Sequence, residues 1–278
     1  MLLFKKKIAL QKYLRKISKK DSIGFVPTMG AIHEGHLHLI KCSKKTTSIT
    51  VCSIFVNPTQ FNNQKDFNSY PKTLDLDINK LKGVNCDILY APDVSDLYLK
   101  NEKVKNYDFK NLAQKMEGKY RPGHFNGVAT VVEKLLKIVD PDKTFFGQKD
   151  LQQTIIVRRL VGDLNIKTEV VMKETIREKN MLAKSSRNKH LTSEEKEKAS
   201  IIYKILKYCK KNKALGIKKL KEISIKKIEE VPSIKLEYIE FVETNTMLPI
   251  NKWKKENTNA VCVAVWIRSI RLIDNIIL

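Results

Sequence analysis

The chain has 278 residues, 42% hydrophobic and 30% charged, the profile of a folded globular protein with one large core or two smaller ones. Its 53 Lys and Arg against 30 Asp and Glu give a formal net charge of +23, but the lysines are scattered beside Ile and Asn, as in "IKKLKEISIKKIEE". A+T-rich coding is enough to explain such charge, so a focused nucleic-acid-binding face is not expected, and with no apolar run of about 18 residues neither is a membrane span.

The opening stretch "MLLFKKKIALQKYLRKISKK" is basic and amphipathic like a presequence, but it lacks a small-residue cleavage site and its apolar positions recur at helical spacing. A structural first helix is expected. Between residues 22 and 172, strand-like runs ("IGFVPT", "SITVCSIFVN", "CDILYA", "KTFFG", "KTEVVM") alternate with helical periods ("GHLHLIKCSKK", "DINKLKG", "VATVVEKLLKIV", "DLQQTIIVRRLVGDL"). That alternation predicts an α/β fold, a Rossmann-like parallel sheet flanked by helices, with ligands bound beyond the carboxyl ends of the strands. After Glu174 the polar stretch "TIREKNMLAKSSRNKHLT" reads as a loop, and "SEEKEKASIIYKILKYCKK" as a helix opened by a serine cap. Three strand candidates, "KLEYIEFVE", "AVCVAVWI" and "IRLIDNI", close the chain. The expected division is one domain over residues 1–174 and a smaller α+β domain over residues 175–278. Cys42, Cys52, Cys86, Cys209 and Cys262 are odd in number and never form a C-x-x-C pair, which favours a reducing, cytoplasmic setting over disulfides or structural zinc.

Four stretches at strand ends can carry chemistry. In "VPTMGAIHEGHLHLI" a buried strand, a glycine turn and a helix start place His33 and His36 where unpaired N–H groups and the helix dipole suit a phosphate. Zinc ligation would call for the four-residue spacing of H-E-x-x-H, which "HEGH" lacks, and a purely structural role for both imidazoles is the other alternative. His38 points elsewhere on the helix. "FVNPTQF" offers the amides of Asn57 and Gln60 at the sheet's mouth, or else a plain proline turn. "FFGQKDLQQ" repeats strand, glycine and helix. Lys149 at a helix start is electrostatically poor unless an anion binds there, while Asp150 can also be read as an ordinary cap and Gln153 lies one turn inward. "LAKSSRN" sets Lys184, two hydroxyls and Arg187 in a loop able to cover phosphates or simply to link domains. Neither G-x-x-x-x-G-K-S/T nor G-x-G-x-x-G occurs, and Glu117, Arg121 and His124 form a polar turn bordering the expected pocket.

Through "PTMGAIHEGHL", "SIFVNPTQF", "YPKTLDLD", "RPGHFNGVATVV", "FFGQKDLQQ", "SSRN" and "RLIDNI", in that order, nearly the whole chain resembles the pantoate–β-alanine ligases of the HxGH nucleotidyltransferase superfamily. The resemblance implies that ATP and pantoate give pantoyl adenylate and pyrophosphate with Mg²⁺, after which β-alanine yields pantothenate and AMP. It implies ATP contacts from Met29, Gly30, Ala31, Ile32, His33, Glu34, Gly35 and His36, with His36 the proton donor, and His33 and Lys149 assisting at the phosphates. Further ATP contacts are implied at Gly147, Gln148, Lys149, Asp150, Ile176, Lys184, Ser185, Ser186 and Arg187. Gln60, supported by Asn57, would bind pantoate and β-alanine, Gln153 would hold pantoate, and Val131 and Val132 would wall its geminal methyl groups. A cytoplasmic homodimer is the family expectation, and the residues that hold the metal are left unidentified. Lys184 stands where the family usually has Met, and Gln148 where Glu is frequent. A nucleotidyltransferase with another acceptor, or a basic nucleic-acid-binding protein, are the competing readings.

Overall fold

The computed structural model describes residues 1–278 apart from 18, 19, 62, 101, 256 and 257. Along the chain lie β1 Leu2–Phe4, α1 Lys7–Leu14, β2 Ile23–Thr28, α2 Glu34–Thr46, β3 Ile49–Ile54, α3 Gln64–Ser69, α4 Leu74–Gly83, β4 Ile88–Tyr90, α5 Val94–Leu97, α6 Glu117–Tyr120, α7 His124–Val139, β5 Lys143–Gly147, α8 Leu151–Asp163 and β6 Glu169–Lys173. These strands form one six-stranded sheet, ordered β1-β4-β3-β2-β5-β6 and parallel at every pairing. The order reverses between β2 and β5, and such a switch point is where an open α/β sheet leaves its crevice. Sequence sharpens the gap: pairing of β2 with β5 stops at Phe25↔Thr144, and Pro27, two residues on, has no N–H to extend it.

The sheet is covered on both sides, which is why its strands read as apolar runs. Phe25 and Val51 pack with Leu10, Leu136 and Ile156 of α1, α7 and α8, while their neighbours Val26 and Cys52 pack with Ile40 and Leu81 of α2 and α4. The remaining elements are α9 Ser193–Ala199, α10 Ile201–Lys211, α11 Ile217–Glu229, β7 Ile234–Glu243, β8 Asn259–Ile267 and β9 Ile270–Ile277. The last three strands make an antiparallel sheet. One face buries Val261, Val263 and Val265 under α10 and α11, and the other sets Ala260, Cys262 and Ala264 against Met116 and Leu151 of the larger layer. A central strand covered on both faces accounts for the unbroken run "AVCVAVWI".

Local expectations are corrected at three points. The opening stretch begins as a strand, with Leu2 opposite Ile88 and Phe4 opposite Tyr90, and its helix is confined to Lys7–Leu14; residues 18 and 19 lie outside the described residues. A strand of 3 residues is too short to show alternation, and its partner is distant in sequence. The cap of the helix after the loop is Thr192 rather than Ser193: its side chain accepts from the Glu195 N–H while Glu195 reaches back to the Thr192 N–H. That helix also breaks at Ser200, between α9 and α10. Among the described residues no helix is long and apolar enough to cross a membrane, and all five cysteines are free.

Candidate active site

A cavity opens at the carboxyl ends of β2 and β5, as the switch point predicts. After β2, Gly30 turns the chain at φ +80° and His33 caps α2, its Nδ1 accepting from the Gly35 N–H at 3.2 Å. Acceptance at Nδ1 puts the ring proton of neutral His33 on Nε2. The turn is fastened by Asp77, buried in the first turn of α4, whose carboxylate accepts from the N–H groups of Ala31 at 2.9 Å and Ile32 at 2.7 Å. The Gly30 N–H donates to Thr28 Oγ1. Gly30, Ala31 and Ile32 therefore shape the turn without lining the cavity, whereas Met29, His33, Gly35 and His36 line it.

The rings of His33 and His36 stack with centroids 4.0 Å apart. Burial, then His36 and the Lys149, Lys184 and Lys80 ammonium groups, push His33 down to about 2. Burial also lowers His36, to about 4, against the opposing pull of Asp150 and with help from Lys149 and Lys80. Both imidazoles are neutral near pH 7, so each presents one N–H and one bare nitrogen. His36 Nδ1 and Thr175 Oγ1 are buried without a hydrogen-bond partner among the described residues, and both residues line the cavity. Buried polar atoms left open at a cavity wall are atoms that a ligand can satisfy.

Across the crevice, Gly147 leads into a 3₁₀ turn, Gln148–Asp150, that starts α8. Lys149 Nζ lies 2.8 Å from Asp150 Oδ1, and Asp150 occupies the cap position without making a side-chain capping bond. Lys149, Asp150 and Gln153 line the cavity, while Gln148 turns away and donates from Nε2 to Asn275 Oδ1 at 3.2 Å.

The third wall comes from α7 and the loop after β3. Asn57 is 1% exposed and does not reach the cavity. It donates to Gln60 Oε1 and to the Gly127 carbonyl and accepts from Tyr98 Oη, so it holds Gln60 in place. Gln60 does line the cavity, its Nε2 2.8 Å from Met29 Sδ, as do Val131 and Val132 of α7. His124 Nδ1 donates to the Gln60 carbonyl at 2.9 Å, so in its neutral form Nε2 accepts from Arg121 at 2.9 Å. Burial, with Arg121 beside it, lowers His124 to about 3. Arg121 and His124 border the cavity as expected. Glu117 is instead tied to Arg271 by paired contacts of 2.7 Å.

The loop after β6 closes the mouth with Ile176, Lys184, Ser185, Ser186 and Arg187. A short bridge, Arg177↔Ala183, shapes it, and Lys184 Nζ lies 3.1 Å from Glu34, whose side chain faces outward. Tyr70, near the Ser186 hydroxyl, is a wall residue that sequence reading did not single out. Asp77 and Lys80, whose ammonium donates to the Ile32 carbonyl at 2.6 Å, were missed as well. The only trace of Asp77 was its place in "YPKTLDLD", indistinguishable there from an ordinary first-turn acid.

A family model described as pantoate-beta-alanine ligase matches residues 2–277. A pantothenate synthetase of Flavobacterium psychrophilum is 44% identical over 281 residues, covering 99% of both chains, and one of Azobacteroides pseudotrichonymphae is 45% identical, again over 99% of each. Among solved structures, pantothenate synthetase from Thermus thermophilus superposes with a TM-score of 0.93 at 34% identity over 99% of each chain. The Francisella tularensis pantoate-beta-alanine ligase, complexed with beta-gamma ATP and beta-alanine, gives a TM-score of 0.83 at 36% identity, covering 100% of this chain and 97% of its own.

Proposed function

The chain belongs to the pantoate–β-alanine ligase family and forms pantothenate from pantoate and β-alanine with ATP, and we propose that it does so through a pantoyl adenylate made between β2 and β5. One observation carries this reading: two strand-to-helix turns face each other across a crevice, one bearing a stacked histidine pair and the other Lys149. In-line attack of the pantoate carboxylate on the α-phosphorus brings two anions together and releases pyrophosphate. Positioning and charge neutralisation suffice for that step, and no covalent nucleophile is involved.

In this reading Met29, His33, Gly35, His36, Gly147, Lys149, Asp150, Ile176 and Lys184 to Arg187 hold ATP. His36 is the main donor to the phosphates, with His33 beside it, and Lys149 offsets the charge of the departing pyrophosphate. Because burial keeps both imidazoles neutral, they act in this reading as hydrogen-bond donors, where the resemblance implied a proton donor at His36. Gly30, Ala31, Ile32 and Glu34 shape or gate the turn, and Gln148 acts from behind it. Gln60, set by Asn57, and Gln153 hold the polar groups of pantoate and receive β-alanine, and Val131 and Val132 meet the geminal methyl groups.

Among the described residues no three His, Cys, Asp or Glu gather as a metal cage. Mg²⁺ would fit this cavity as the counter-ion of the triphosphate, with Asp150 the carboxylate on the wall that would help hold it, and it would supply charge neutralisation. Residues 1–174 are then the nucleotide- and pantoate-binding domain and residues 175–278 the lid. A homodimer and a cytoplasmic location complete the reading, the latter supported by the free cysteines.

The test is isotope exchange between pyrophosphate and ATP. Exchange should appear only with pantoate present, and AMP should then form only when β-alanine is added. Exchange indifferent to pantoate would remove the assigned acceptor site and leave the fold untouched.

A further inference from the structure

The closing motif "RLIDNI" lies outside the cavity wall, yet two of its residues reach the segments that form that wall. Asn275 in β9 is 3% exposed. Its Nδ2 donates to the Gln148 carbonyl at 2.8 Å and the Lys149 carbonyl at 2.9 Å, and its Oδ1 accepts from Gln148 Nε2 at 3.2 Å. One side chain thus grips the short turn that carries Lys149, at the main-chain acceptors of the ammonium-bearing residue and the one before it. Its neighbour Asp274, also 3% exposed, accepts from Arg177 Nη1 at 2.6 Å and Nη2 at 3.1 Å. The Arg177 guanidinium carbon in turn lies over the Tyr203 ring, 3.6 Å from its centroid, and Arg177 pairs with Ala183 at the base of the loop that presents Lys184 to Arg187.

Successive strand residues project to opposite sides. Asp274 and Asn275 are therefore able to hold two different segments from adjacent positions, and the peptide link between them fixes their spacing. We propose that Asp274 and Asn275 are positioning residues for adenylation: β9 fixes the Lys149 turn and the Lys184–Arg187 loop at a set separation, and Asn275 acts through Lys149. The proposal rests on reading the cavity as the nucleotide site. It also gives Gln148 a use in this chain, since an amide there donates to Asn275 Oδ1 where a carboxylate has no proton to give.

A double-mutant cycle on pantoate-dependent ATP–pyrophosphate exchange tests it, with folding followed by thermal unfolding. Asn275→Ala should lower kcat/KM for ATP about tenfold, the scale of a misplacement well under 1 Å in a positioned site. In a Lys149→Ala background the same change should cost less than about twofold, because the group it positions is gone. Equal losses in both backgrounds would mean a merely structural role and overturn the proposal, as would no loss from Asn275→Ala alone. If Asn275→Ala does not fold, Gln148→Ala, which removes only the side-chain half of the pairing, enters the same cycle and the same outcomes decide. Unchanged exchange in Lys149→Ala itself would overturn the nucleotide-site reading together with this proposal, whereas a loss there with additive effects would overturn the proposal alone.

Discussion

Gly127 sits on α7 where the helix touches the loop carrying Gln60, and replacing it with Ala tests how that contact sets the acceptor site. A β-carbon there would fall 2.3 Å from the Thr59 carbonyl oxygen, 2.7 Å from its carbon and 2.9 Å from Gln60 Cα. All three are backbone atoms, so no side chain can swing aside. Restoring an ordinary 3.4 Å contact from 2.3 Å requires helix and loop to part by about 1 Å. In an open helix position Gly→Ala would stabilise by about 1 kcal/mol through backbone entropy and propensity. Here overpacking of about 1–3 kcal/mol works against that gain, for a net destabilisation of about 1 kcal/mol and a fall of roughly 2–4 °C in Tm. Activity should suffer more. The shift displaces Gln60 against Val131 and Val132 of the same helix, and a displacement near 1 Å costs about a hundredfold in a positioned reaction. We expect kcat/KM for pantoate to fall by that order while the KM for ATP changes far less, as read by exchange kinetics with each substrate varied. A melting temperature equal to or above that of the parent, with kcat/KM for pantoate unchanged, would refute the claim that this contact sets the site.

His36→Ala should slow single-turnover adenylation by about a hundredfold, the scale of one positioned transition-state donor; an unchanged rate would remove His36 from the chemistry. Stability should also depend on pH through the buried imidazoles. His33, His36 and His124 are held at about 2, 4 and 3 in the fold, against an ordinary 6.5 in the unfolded chain. Between those values the unfolded chain binds protons that the folded chain refuses, so stability is intact above about pH 6.5 and falls as pH drops toward the folded values. By about pH 5 each histidine should remove roughly 2 kcal/mol, and urea unfolding that gives the same stability at pH 5 and pH 7.5 would contradict the burial argument.

What was legible in the sequence was local. The strand, glycine and helix order around His33 and Lys149 can be read because apolar runs, a turn residue and helical spacing are properties of neighbours. The alternation of elements placed both turns at the carboxyl edge of one parallel sheet, but which strands are neighbours is visible only in the fold. The rest depends on contacts distant in sequence. Asn57 offered its amide at the sheet's mouth in the sequence, but in the fold its hydrogen bonds go to Gln60, Gly127 and Tyr98, and only the last two contacts, made from other elements, show that it sits behind Gln60, off the cavity wall. Asp150 left two readings open, acceptor or cap; in the fold it holds the cap position without a side-chain capping bond and lies against Lys149. Gln148 and Asn275 carry no local signal at all, since an amide pairing across layers has no periodicity.

The fastening of Ala31 and Ile32 by Asp77 bears on product release. A glycine-rich phosphate loop offers its bare N–H groups to the ligand, and its grip on a released phosphate resembles its grip on the nucleotide. Here a resident carboxylate already occupies the N–H groups of Ala31 and Ile32, so the turn resembles a phosphate loop with an anion built in. In the proposed reading the hold on the triphosphate then falls mainly to side chains, those of His36, Lys149, Lys184 and Arg187. A grip made of side chains can loosen and re-form, which suits a pyrophosphate that leaves before the amine arrives and can return from solution, as exchange requires.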